Sequence, residues 1–147
     1  MHIIFAVGRV LLVLIFVVSG AQKLIDIPAT ATQIQSVVTI PDALREYVGQ
    51  VESVTNMQWP QILAILAGAI EVVGGLLIAF NIATRSAATV LALYTMVATY
   101  YYHAFWTMSG EAMQNNIIHF EKNLAIIGGL LIMFVLGPWR PARPNQM

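Results

Sequence analysis

The sequence predicts an all-α membrane protein: four transmembrane helices in an up-down-up-down bundle, with a long, partly helical first loop. Its 147 residues are 59% hydrophobic and 10% charged, the composition of a chain whose solvent is mostly lipid. Four largely apolar stretches recur along it, each near the roughly 20 residues needed to cross a hydrocarbon core. Trp59, Trp106, Trp139 and the run Tyr100, Tyr101 and Tyr102 fall near the ends of those stretches, where amphipathic rings prefer the headgroup level. One domain over residues 1–147 suffices at this length. The formal net charge of +0 gives no basis for a nucleic-acid partner, so the lipid bilayer is the partner that composition names.

The first span runs from about Ile3 to Ile25. At about 100° per residue, Arg9, Phe16, Gly20 and Lys23 fall within roughly 40° of one line, which marks that face as the inward one. Ser19-Gly20-Ala21 resembles a signal-peptide cleavage site, but Arg9 follows a long apolar start and the apolar run continues well past it, which favours a retained helix. The connection from Asp26 to Met57 holds two helical phrases. Pro28 can open the first, with Ile34, Val37 and Val38 on one face. Pro41 can open the second, whose stripe of Leu44, Tyr47, Val48 and Val51 lies opposite Arg45, Glu46 and Glu52. Such a segment either lies on the membrane surface or caps the bundle as a lid.

The remaining spans run from about Trp59 to Ile82, Ser86 to Trp106 and Ile117 to Leu136, the last ended by Pro138. Val72-Val73-Gly74-Gly75-Leu76-Leu77-Ile78 in the second span echoes Ile126-Ile127-Gly128-Gly129-Leu130-Leu131-Ile132 in the fourth. Each glycine pair offers a notch for close backbone approach, which matters because lipid supplies no hydrophobic drive for helices to associate. Arg85 in a short turn, Arg140 and Arg143 in the tail, and the nearby Arg9 place both termini on the cytoplasmic side; Lys23, Arg45 and Lys122 lie opposite.

An unpaired charge inside a span costs at least about 2.5–3.5 kcal/mol, so Arg9 and Glu71 need a partner or a ligand. Glu71 shares its face with Ala64, Ala67, Gly68 and Gly75, a groove that another helix can approach. Counting about 1.5 Å per residue from the cytoplasmic ends brings Arg9 and Glu71 to similar depths in antiparallel neighbours. The expectation is an ion pair, acting either as a strut that sets helix register or as part of a proton path.

A second polar group gathers toward the opposite face: Lys23, Tyr102, His103, His119, Lys122 and Asn123. Ammonium and imidazole groups can donate hydrogen bonds to carbonyl oxygens, and tyrosine rings can wall a flat head group, so a quinone fits that chemistry. The plainer account is that the lysines snorkel to headgroups and the histidine satisfies a neighbour. Paired histidines on two spans also admit haem, which is disfavoured because His119 lies at the helix mouth; no ligand spacing supports zinc or another metal. With Cys 0 the chain supplies no disulfide, thiolate or cysteine-ligated cluster. No nucleophile motif, P-loop or dinucleotide fingerprint is present.

Gly8-Arg9 with Phe16, Ser19-Gly20 and Lys23, then Glu71 before Gly74-Gly75, then Lys122-Asn123 before Gly128-Gly129, together resemble the DoxX family. The most specific part is His103-Ala104-Phe105-Trp106-Thr107-Met108-Ser109-Gly110 leading to Asn116 and His119-Phe120-Glu121-Lys122-Asn123, which is similar to an inner-membrane branch of that family. The resemblance implies a bacterial inner-membrane protein with Arg9, Lys23, Glu71, Lys122 and Asn123 at the family's recurring positions. It implies less about activity: the family takes its name from an archaeal thiosulfate:quinone oxidoreductase, and another relative belongs with a mycobacterial complex that handles oxidative and thiol stress. Without cysteine, an independent thiol mechanism is excluded here.

The expected role is a subunit or small-molecule binder, of quinone or a lipid head group, within a membrane oxidoreductase system. Catalysis by the chain alone is not expected. Partners in that reading are the bilayer, a membrane or soluble oxidoreductase, and further copies of the chain. A non-catalytic scaffold is the competing class. A small transporter comes third, because four helices leave a narrow pathway unless the protein oligomerises.

Overall fold

The computed structural model describes residues 2–137, and the regular structure of these residues is entirely helical. Its order is α1 (His2–Ile25), α2 (Ile27–Val37), α3 (Arg45–Thr55), α4 (Trp59–Ala79), α5 (Thr84–Tyr102) and α6 (Gly110–Leu136), with 3-10 turns at Asp42–Leu44 and Phe105–Thr107. Pro138, Trp139, Arg140 and Arg143, used above for the last helix end, the aromatic belt and orientation, lie outside the described residues.

Small residues set the packing. α1 runs antiparallel to α4: a Cβ on Gly20 would lie 2.7 Å from the Gly68 carbonyl oxygen and 2.8 Å from the Glu71 Cβ, while Gly75 receives Val17 and Val13. Gly74 on the neighbouring face admits Leu91 of α5, and Gly129 of α6 admits Leu12 of α1. Thus three of the four glycines in the echoed motif form notches; Gly128 has nothing within 4 Å. Around these contacts lies a core of Val13, Phe16, Ile78, Ala87, Ala88, Leu91, Ala92, Leu130 and Met133. The outward faces carry Ile3, Ile4, Leu11, Leu14, Ile15 and Val18 on α1 and Leu131, Ile132 and Val135 on α6, all exposed. In water such a surface would aggregate; in lipid it is solvated.

Among the described residues three helical stretches are long and apolar enough to cross a membrane: Ile3–Ile25, Trp59–Ala79 and Gly110–Leu136. α5, the third of the four expected spans, falls short because Thr84, Arg85, Ser86, Thr89, Thr95 and Thr99 dilute it. Thr84, Thr95 and Thr99 are nevertheless buried. The Thr95 and Thr99 hydroxyls donate to the Leu91 and Thr95 carbonyls one turn back, at 2.7 and 2.6 Å, so these polar groups are satisfied inside their own helix.

Boundaries differ from the expected ones for local reasons. α4 stops at Ala79 instead of running to Ile82, because Asn81 (φ 63) and Ala83 (φ 46) turn the chain. α5 ends at Tyr102, and the expected segment to Trp106 becomes a 3-10 turn. α6 starts seven residues before the expected Ile117, at Gly110 (φ 62). Its 27 residues give roughly 40 Å, longer than a hydrocarbon core, so the polar opening turns extend the helix where an apolar count does not reach. In the long connection, Pro28 stands in the first turn of α2, and the buried Ala31 and Ile34 lie on the helix that packs against α4. α3 buries none of its residues.

Candidate functional site

The deepest polar cluster joins α1, α4 and α5. Lys23 Nζ donates to Glu71 Oε2 at 2.8 Å and to Ser19 Oγ at 2.6 Å. The Glu71 side chain is 7% exposed and that of Lys23 25%. The Tyr94 hydroxyl lies close enough to the Glu71 carboxylate to interact with it. The geometry follows from Gly20 and Gly68: with no side chain at either position the helix backbones touch, and Lys23, one turn beyond Gly20, reaches across to Glu71.

The expected Arg9–Glu71 pair is therefore corrected to Lys23–Glu71. The register pairs Gly20, not Arg9, with Glu71, and eleven residues of helix separate Gly20 from Arg9 by about 16 Å. Equal depth counted from helix ends holds only if those ends are level, and the glycine contacts set them otherwise. Arg9 instead places its guanidinium over the Phe5 ring, 5.8 Å from the centroid, and its Nε is buried without a hydrogen-bond partner.

A second polar cluster lies where α5 and α6 diverge. His103 and His119 stack with ring centroids 5.0 Å apart and planes within 10°. His103 Nδ1 lies 3.0 Å from Asn116 Oδ1, while Asn116 Nδ2 donates to the Ala112 carbonyl. Because that amide nitrogen is committed as donor, Oδ1 accepts from His103 Nδ1–H, which leaves His103 Nε2 as an acceptor in the neutral ring. Deeper along the same helix pair, Asn123 Nδ2 donates to Thr99 Oγ1 at 2.9 Å, and that hydroxyl in turn donates to the Thr95 carbonyl.

Beside these groups is an apolar pocket of about 240 Å³ between α5 and α6, lined by Met96, Thr99, Tyr100, Trp106, Phe120, Leu124 and Ile127. Its aromatic wall is built edge to face: Phe105 packs on Trp106 and on Phe120, each at 5.2 Å between centroids.

The six residues expected at one site thus separate. His103 and His119 meet, Asn123 holds Thr99 nearby, Lys23 belongs to the Glu71 cluster, and Tyr102 and Lys122 are exposed. Ser19, Thr99 and Tyr94 are site members that the sequence reading did not assign. Thr95 and Thr99 at i,i+4 were the available signal, since two hydroxyls on one face mark an inward stripe.

A family model described as DoxX matches residues 4–104. The chain is 27% identical over 136 residues to the inner membrane protein YphA of Escherichia coli K12, covering 92% of this chain and 84% of that protein. It is 33% identical over 92 residues to the inner membrane protein YqjF of the same organism, covering 63% of this chain and 67% of that protein. No solved structure matches it. The family match takes in both partners of the buried Lys23–Glu71 pair and more than half of the sequence: this membrane-embedded chain belongs to the DoxX family.

Proposed function

We propose that the chain is a four-span inner-membrane subunit, up-down-up-down, that binds a quinone-like or lipid-like head group between α5 and α6 and presents it to an oxidoreductase partner. The observation that carries this reading is the aromatic-walled 240 Å³ pocket set beside the His103–His119–Asn116 cluster. The two parts suit a flat ring bearing oxygen atoms and an apolar tail: the aromatic wall covers the ring, and the His119 imidazole can donate to an oxygen while His103 Nδ1–H is held by Asn116. The residues present fit such a group. A bound quinone would supply two-electron, two-proton carrier chemistry. Of the residues first expected as ligands, Lys23 drops out, because its ammonium is engaged by Glu71 and Ser19. His119 and Asn123 remain, with Tyr102 and Lys122 at the exposed edge.

The scaffold reading is favoured by a different observation. The Lys23–Glu71, Asn123–Thr99 and His103–Asn116 contacts satisfy their polar groups internally, as a structural framework would. Purification in mild detergent, solvent extraction and mass spectrometry of the extract separate the two. A prenylated quinone that copurifies with the native chain and is lost from Phe120→Ala and Trp106→Ala, but not from Arg85→Ala, supports the binder. Ligand-free protein that retains a stable membrane partner supports the scaffold.

A further inference from the structure

Helix α3 has three faces where a soluble amphipathic helix has two. At about 100° per residue they are spaced by roughly 110–130°. The first, Arg45, Val48, Gly49 and Glu52, lines an open cleft of about 420 Å³ whose far wall includes Trp59. The second, Glu46, Gln50 and Ser53, is polar and exposed. The third, Leu44, Tyr47, Val51 and Val54, is apolar yet 50%, 65%, 47% and 82% exposed. Val48 and Glu52 are half-buried toward the protein and Arg45 sits at the cleft's rim with its side chain 70% exposed, while the apolar stripe faces away. A helix docked on a core in water turns its apolar stripe inward; here the stripe faces outward, which suits an apolar medium on that side.

We infer that α3 lies along the lipid interface, with Leu44, Tyr47, Val51 and Val54 inserted at the boundary between headgroups and acyl chains. Its depth is fixed by a hydrogen bond: Glu52 Oε1 accepts from the backbone N–H of Trp59 at 2.7 Å. Trp59 is the first residue of a helix that is long and apolar enough to span, so the last turns of α3 are tied to the level where that span meets the headgroups. Ile25 at the end of α1 and Leu63 and Leu66 in the first half of α4 are exposed apolar residues as well. Charge does not drive the contact. Arg45 is paired with Asp42 at 2.9 Å, and the helix carries one basic and two acidic residues, so the partner is the acyl boundary of the bilayer rather than an anionic headgroup.

The chain lacks cysteine, which makes single-cysteine labelling unambiguous. Val51→Cys and Val54→Cys are compared with Gln50→Cys and Ser53→Cys, each carrying an environment-sensitive fluorophore in phosphatidylcholine vesicles. Nitroxide-bearing lipids are expected to quench positions 51 and 54 severalfold more than 50 and 53, with aqueous iodide giving the reverse order. Adding phosphatidylglycerol should leave both orders unchanged. Equal iodide quenching at all four positions overturns the inference. So does protection of 51 and 54 from both quenchers together with cross-linking between copies through Val54→Cys, which would assign the stripe to a second copy of the chain.

Discussion

Glu71 shows how a carboxyl group is accommodated in a lipid-solvated chain. Its side chain is buried within α4, its Oε2 accepts from Lys23 Nζ, and Tyr94 lies nearby, so the carboxyl group is not left alone in hydrocarbon. Removing one member of a buried pair leaves an uncompensated charge, which typically costs about 3–5 kcal/mol; the partial exposure of Lys23 puts this pair toward the lower figure. Lys23→Met and Glu71→Gln should therefore each lower the melting temperature in detergent, and the double variant should recover much of the combined loss. Glutamine keeps the side-chain shape and a carbonyl acceptor, so the cycle reads the ion pair rather than lost packing. Arg9→Ala combined with Glu71→Gln should be additive, because about 16 Å of helix lies between Arg9 and the level of Glu71. That two opposite charges in apolar text needed partners was legible from the sequence. Which cation served was not, since pairing depends on helix register, and register is decided by where glycines let two backbones touch.

At the scale of the element, glycine position separates contact from lipid exposure. Gly20→Ala would set a Cβ 2.7 Å from the Gly68 carbonyl oxygen, against backbone that cannot rotate aside, so α1 and α4 must part. The expected loss is about 1–3 kcal/mol, with weakened Lys23–Glu71 pairing as a consequence, read as a lowered midpoint in thermal unfolding. Gly128→Ala, with nothing within 4 Å, should be neutral or slightly stabilising, since alanine favours helix over glycine. Identical midpoints for the two variants would sink this account of the α1–α4 interface. The echoed motif thus carried real information about helix contact, but only three of its four glycines are used, because sequence similarity does not say which face of a helix meets a neighbour. The helices themselves were legible for a simpler reason: apolar runs are interrupted by Pro28, Pro41 and turn residues at intervals that bound them. The polar opening of α6 was missed because an apolar count ends before the helix does.

At the scale of the whole molecule, the number of crossings turns on α5, whose inward threonines lower its hydropathy without making it a water-exposed helix. α4 and α5 are joined by a tight turn and meet where Leu91 enters the notch at Gly74, and α5 returns along α6, where Thr99 meets Asn123. Arg85 lies against Gly137, so the α4–α5 turn and the end of α6 share one end of the molecule; the register of α1 on α4 brings Arg9 toward that end as well. Arginine enrichment there argues for the cytoplasmic face. Cysteine substitutions at Asn56, Ile82 and Ser109, probed with a membrane-impermeant maleimide on intact cells, test the arrangement. Four crossings require Asn56→Cys and Ser109→Cys to label from outside and Ile82→Cys to label only after permeabilisation. If α5 does not cross, Ile82→Cys and Ser109→Cys must label alike and opposite to Asn56→Cys. In that case the His103–His119 cluster would face the cytoplasm, and a ligand entering between α5 and α6 would come from the other leaflet.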